Sequence, residues 1–267
     1  MIDSIYEFGK QLIKTGEIDP IYIFLYEAKF DQQKLHKWLL AYWCFYHTGT
    51  ASWISEGETN QEFWKRMNNA AATAEHPRGG HRRHYRGQAA IRSVAWLQSK
   101  GIEALFNEIS VPCTLSQFMV KAQKWMGFGI WIAFKMADMM ERLGLCQITI
   151  DDNPGRFLYK TPMKAAINLW KKENPTKERP TQDYEVGNWA IKRIEKELKK
   201  YTAPPRYERP INVFEAETIL CEWNKYQKKP YTIGDDIKKQ HAILMNAHTQ
   251  TAKQLLLAGK KLWEKSI

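Results

Sequence analysis

Several classes of protein are excluded by what this chain has little of. Its four cysteines, Cys44, Cys113, Cys146 and Cys221, are scattered and form no CxxC pair. That spacing gives neither a disulfide framework nor a zinc or iron–sulfur cradle, so reduced, mostly buried thiols are expected. No stretch approaches the roughly 18 consecutive apolar residues of a membrane span. The opening MIDSIYEFGK has no basic segment followed by an apolar one. A cytoplasmic protein without a membrane partner is expected. Internal repeats and low-complexity tails are also missing. Acidic residues are in deficit, 29 against 40 Lys and Arg, for a formal charge of +11. Such an excess favours a polyanionic partner, and no basic amphipathic anchor at either end points to lipid instead.

Apolar material, by contrast, is plentiful: 44% of the 267 residues are hydrophobic and 13% aromatic. A chain of this length buries a core without staples, as one large domain or two intimate ones. Helical periodicity dominates it. Ile21, Phe24, Leu25 and Ala28 form one apolar stripe, and Leu35, Trp38, Leu39, Tyr42 and Trp43 form another. Ala89, Val94, Trp96 and Leu97 mark a helix closed by Gly101, and Thr114 to Gln117 reads as a capping box. Further helices are expected over 161–172, 183–200, 213–227 and 235–265. Only Ile148 to Ile150 resembles a strand, and it is too short to found a sheet. The expected fold class is all-α. Linker-like stretches at 75–87 and 202–210 suggest a body over 1–201 and a C-terminal helical segment over 202–267 that packs onto it.

The segment from Trp125 to Gly144 carries the most information. A helix over about 114–125 meets a tight Gly127-Phe128-Gly129 turn, and a second helix with small residues Ala133 and Ala137 follows at once. Glycines permit positive φ and close backbone approach, and the amides opening the second helix face outward, where a phosphate can accept from them. An ordinary helix–helix corner is the competing reading. Beyond Gly144 comes an apolar run and then Asp151-Asp152, with Asp151 lying 22 positions past Gly129. A solvated turn, or an N-cap before Pro154, would also account for the acidic pair.

This order resembles the helix-hairpin-helix DNA glycosylase superfamily, in which the hairpin grips the DNA backbone and an aspartate beyond an apolar run is catalytic. The resemblance implies a glycosylase-like fold, DNA contacts at Lys124, Gly127, Phe128 and Gly129, and catalysis by Asp151 or Asp152. Two departures matter. Trp131 stands where lyase-type members carry a lysine, and the four-cysteine iron–sulfur loop is missing.

A second signal is the run from His76 to Arg86, which packs three of the seven histidines and four arginines into eleven positions. A solvated basic loop would explain it. Interleaved glycines and a helix beginning near Gln88 suggest instead a phosphate or pyrophosphate seat, since arginine forks bind phosphate oxygens bidentately. His81 and His84 have no matching third partner for a metal.

Taken with Ala41 to Ser52, and with Phe214 to Trp223 followed by Gly234-Asp235-Asp236, this loop and the hairpin look like the α-glutamyl/putrescinyl thymine pyrophosphorylase family of bacteriophages. These proteins are also called amino acid:DNA transferases. The likeness spans roughly residues 20–240. It implies that a kinase first makes the pyrophosphoryl ester of 5-hydroxymethyluracil in DNA, and that the family enzyme then displaces pyrophosphate with the amine of an amino acid or polyamine. Such an enzyme must turn the base out of the duplex. On that reading Arg82, Arg83, Arg86 and His84 stabilise the departing pyrophosphate, with Mg²⁺ as an optional companion. Asp151 or Asp152 stabilises the electron-poor carbon or takes the amine's proton. Tyr42, Trp43, His47, Arg78, His81, Tyr85, Glu217 and Cys221 surround the substrate, with Tyr46 and Trp53 as further stacking candidates. Cys221 is also a candidate covalent activator of the pyrimidine ring. The alternatives are a monofunctional glycosylase and a non-catalytic DNA-binding module.

Overall fold

The computed structural model of the protein describes residues 2–228 and 231–264. Its helices are α1 (Ile5–Thr15), α2 (Pro20–Ala28), α3 (Gln32–Phe45), α4 (Thr48–Ser55), α5 (Asn60–Ala72), α6 (Gly87–Lys100) and α7 (Ile102–Ile109). They continue as α8 (Leu115–Gln123), α9 (Ile130–Arg142), α10 (Lys160–Glu173), α11 (Asp183–Glu197), α12 (Val213–Tyr226), α13 (Asp235–Met245) and α14 (Gln250–Ala258). The all-α expectation holds. None of the described helices is long and apolar enough to cross a membrane.

Local signals explain most boundaries. The Thr114 side chain accepts from the Gln117 N–H and Gln117 reaches back to the Thr114 N–H, the reciprocal capping box expected at the start of α8. Gly101, at φ +80°, ends α6 in a conformation that L side chains rarely adopt. α3 is the central helix: everything from His36 to Phe45 is buried, and it packs on α4, α7 and α9. A helix buried on all sides reads as hydrophobic all round rather than as a stripe. The α10–α11–α12 group packs together, α12 also meets α1, and α14 lies on α2 and α4. One contiguous core joins Trp38, Phe106, Phe118, Ala133, Ile191, Phe214 and Leu255.

Three expectations need correcting. Ile148–Thr149 does found a sheet, a minimal one, by pairing in parallel with Cys113–Thr114. The partner lies 35 positions away (148 − 113), so no local pattern announces it. The helix expected over 235–265 is broken into α13, α14 and a final turn at Lys260–Trp263, and Lys265 lies outside the described residues. The break arises because the Thr249 hydroxyl accepts from the Ala252 N–H, an N-cap that starts a new helix. The stretch 202–210 is no loose linker. Arg142 donates to the Pro204 carbonyl at 2.9 Å, and Arg209 is clamped between Glu141 and Glu215.

Candidate active site

Two surfaces built from the sequence signals meet at α9. The first is the turn joining α8 to α9. Gly127 sits at φ +83°, and a Cβ there would come within 2.9 Å of the Ser93 hydroxyl, so the turn requires glycine. Gly127 and Gly129 are exposed, as is Lys124. The first bond of α9 runs from the Ala133 N–H to the Gly129 carbonyl, and no side chain caps this end. The amides of residues 130–132 therefore stand at an uncapped helix N-terminus, with positive partial charge facing outward. The Phe128 side chain instead turns into the core against Trp125 and offers a ligand only its backbone.

The second surface is the basic loop, whose arginines divide into two sets. Arg78 points inward and donates to the carbonyls of Ala70, Thr73, His76 and Tyr85. Arg82 is buried, donates to the Cys44 carbonyl at 2.9 Å and the Gly127 carbonyl at 2.9 Å, and lies over the Tyr85 ring. It ties the loop to the α8–α9 turn. Tyr85 is itself buried, its hydroxyl 2.8 Å from Ser93. Arg83, His84 and Arg86 are exposed. These three, unlike Arg78 and Arg82, are open to solvent.

Between these surfaces lies a cluster that sequence reasoning largely missed. At its rim, Trp131 meets the Tyr46 ring edge-on at 4.7 Å and stacks on His81 at 4.5 Å. Tyr46 holds φ +50°, and Asp19, on the far side of the cluster, holds φ +56°. Left-handed conformations cost non-glycine residues energy and cluster where function demands a fixed geometry. Beneath the rim, the buried Lys135 ammonium donates to Glu217 at 2.8 Å and lies 3.7 Å from Asp138. Arg142 reaches Asp19 at 2.7 Å and Asp138 at 3.6 Å, and the Tyr22 hydroxyl donates to Asp138 at 2.9 Å. Burial alone would neutralise Lys135, but Glu217, Asp19 and Asp138 hold it charged, with a pKa well above the usual value. Burial pushes the Asp138 carboxyl up to about 7 against the pull of Arg142 and Lys135. Burial also opposes ionisation of Asp19, yet Lys135 and Arg142 keep its pKa below the ordinary carboxylate range.

α12 completes the wall. Burial raises the Cys221 thiol to about 12, with Glu217 and Glu222 adding to the shift, so the thiolate is disfavoured. Next to it, Glu222 is 8% exposed. One of its oxygens takes the Lys225 ammonium at 2.5 Å and the other is buried without a partner. Burial pushes that carboxyl to about 7 despite Lys225, with Asp236 contributing in the same direction. His81 is shifted down by burial and by Lys225 and Lys135, which favours neutral imidazole.

Glu217 thus lies near enough to His81 and Cys221 to influence the ionisation of each, and Tyr42 stands behind Tyr46 at 4.6 Å. Trp43 is fully buried, its indole N–H on the Met139 sulfur, and faces no opening. His47 caps α4 and accepts from the Thr50 N–H, and burial lowers its pKa to about 4. Asp151 stands apart, its carboxylate accepting from the Ser116 N–H at 2.8 Å in the first turn of α8, and Asp152 is exposed. Lys135, Asp138, Asp19 and Glu222 had no sequence motif to mark them. The available signal was charge on an otherwise apolar helix face, Lys135 and Asp138 lying three apart on α9. Among the described residues, no group of three or more His, Cys, Asp or Glu side chains is placed to hold a metal ion.

Aromatic side chains, a buried charged cluster, an uncapped helix end and exposed arginines thus gather around α9. Residues 2–231 match the family model described as amino acid:DNA transferase. The chain belongs to the amino acid:DNA transferase family. It is 34% identical over 259 residues to a glycinyltransferase of Pseudomonas phage PaMx11, covering 88% of this chain and 87% of that protein. It is 24% identical over 254 residues to a putrescinyltransferase of Delftia phage PhiW-14, covering 93% of this chain and 80% of that protein. The transferase is thereby favoured over the glycosylase and over a non-catalytic binding module.

Proposed function

We propose that this transferase replaces the pyrophosphate of pyrophosphorylated 5-hydroxymethyluracil in duplex DNA with the amine of an amino acid or polyamine, glycine being the foremost donor. In the reaction the exocyclic C–O bond breaks, a C–N bond forms, and the amine loses a proton. The turned-out base stacks against Trp131 and His81, beside Tyr46. Arg83, Arg86 and His84 receive the departing pyrophosphate, because of the loop's six Arg and His side chains beyond His76 they are the exposed ones that neither bond to carbonyls outside the loop nor stack at the rim, Arg83 reaching only its loop neighbours Gly80 and His84. The donor's ammonium is drawn to Glu217 and, on entering the site, to the buried unpartnered oxygen of Glu222. The Glu222 carboxylate takes one proton to give the free amine, whose lone pair forms the C–N bond, and the secondary ammonium so formed releases its extra proton to solvent. Asp151 acts by holding the start of α8 rather than by touching the substrate. The choice of glycine rests on the 34% identity to a glycinyltransferase.

The observation that carries this reading is the charged floor beneath an aromatic rim, built by residues of a chain in the transferase family. The test is nucleoside mass spectrometry on pyrophosphorylated hydroxymethyluracil DNA incubated with the protein, glycine and putrescine. A nucleoside heavier than 5-hydroxymethyldeoxyuridine by one glycine residue, with stoichiometric pyrophosphate, is expected. An unchanged nucleoside profile across a full panel of amines sinks the proposal.

A further inference from the structure

Away from this site, the face between α10 and α11 carries charge that the transfer reaction does not use. Lys160, Lys164, Asn168 and Lys171 recur at helical spacing and form one stripe on α10, on a different side from the buried Ala165, Ala166 and Leu169. The stripe lines a cavity of about 620 Å³ whose other walls include Arg156, on the turn at Pro154–Phe157, and Tyr184, at the start of α11. The Arg156 guanidinium lies over the Tyr184 ring, 5.2 Å from its centre. Asp183 is the carboxylate lining this space, and it is already paired with Arg179. Among the described residues, Arg156, Lys160, Lys164 and Lys171 make no ion pair. Four cations along one groove, whose lining carboxylate Asp183 is already paired, repel one another, and their arrangement becomes favourable when a polyanion lies along them.

We propose that this cavity is a second phosphate-binding site, which holds the sugar–phosphate backbone of the same duplex that meets the α8–α9 turn. The inference rests on DNA being the substrate. The reach fits. The nine residues of α8 span about 14 Å. Asp151, anchored at the start of α8, is five residues from Arg156, at most about 17 Å of chain. Adding the Asp151 side chain and the four residues from Gln123 to Gly127, the two sites lie within about 50 Å of each other, less than two duplex turns of roughly 34 Å each. Lysine ammoniums suit this task, since they act as point charges on phosphate and read no base edge.

The test is a salt titration of binding to a short unmodified duplex, read by fluorescence anisotropy, with the Lys160→Gln/Lys164→Gln/Lys171→Gln variant beside the wild type. Every phosphate left without its lysine should flatten the plot of log K against log salt by about 0.9, so the triple variant should lose about 2–3 from the slope. At physiological salt its affinity should fall at least tenfold. The single Lys164→Gln variant should lose about 0.9, and lysine-to-arginine replacement at all three positions should restore the wild-type slope. An unchanged slope in a variant with wild-type circular dichroism overturns the proposal. So does normal DNA binding by a triple variant that has lost the second of two pyrophosphate sites seen by calorimetry in the wild type, which would make the cavity a small-anion site. Unmodified DNA calls for no transfer chemistry, so failure of the transferase reading and failure of this one are distinguishable.

Discussion

Replacing Lys135 by methionine is the most informative perturbation of the charged floor. The change keeps most of the side-chain volume but removes the cation 2.8 Å from Glu217 and 3.7 Å from Asp138. Both carboxylates are almost fully buried, so neither can turn to water. Removing one partner of a buried pair costs about 3–5 kcal/mol, mostly as the penalty of the stranded charge. For a protein of this size that corresponds to a melting temperature lower by roughly 6–20 °C. The double variant Lys135→Met/Glu217→Leu should recover about half of the loss. Recovery is only partial because Asp19 and Asp138 also faced Lys135, though Arg142 still reaches them at 2.7 and 3.6 Å. Urea unfolding of the wild type, both single variants and the double variant yields the coupling directly. The Lys135→Met defect should shrink at pH 5.5, where stranded carboxylates take up protons, and grow at pH 8. A single-variant loss below about 1 kcal/mol, or strictly additive losses, would refute the view that these charges hold one another in place.

Glu222→Gln should abolish the acid limb of the pH–rate profile for the amine. In the wild type, transfer should rise as pH increases through about 7, where the Glu222 carboxylate forms. Because its folded pKa is raised from 4.5, Glu222 contributes stability that is complete below about 4.5 and lost as pH rises through about 7. Chemical unfolding should show that slope in the wild type and a weaker one in the variant. Asp151→Ala should cost about 1 kcal/mol of stability, as for a lost helix cap, with transfer reduced less than tenfold; a loss beyond a hundredfold at full folding would restore it as a catalytic residue. Gly127→Ala should destabilise by at least about 1 kcal/mol, through both its φ of +83° and the Ser93 contact, and should weaken duplex binding in the same anisotropy assay. Cys221→Ala should leave the transfer rate within about threefold, since a thiol with a pKa near 12 supplies little thiolate; a dead but folded variant would revive covalent activation of the ring.

The sequence alone determined the class of fold, most helix boundaries and the position of the glycine turn and the basic loop, because these rest on short-range physics. Capping residues, glycines at positive φ and the helical period act within a few positions, so the α8 capping box, the Gly127 turn and the end of α6 at Gly101 were all legible. Order along the chain also carried the likeness to the transferases. Tertiary structure alone decided which charges face one another. Arg78 and Arg82 look like Arg83 and Arg86 in sequence, yet two turn inward to carbonyls and two remain exposed, because only packing tells which backbone groups need a donor. Lys135 meets Glu217 across 82 positions, and Arg142 meets Asp19 across 123. No periodicity reports such a meeting. Burial removes water's screening and turns these distant residues into one electrostatic unit, which is why the floor of the site emerged only from the folded chain.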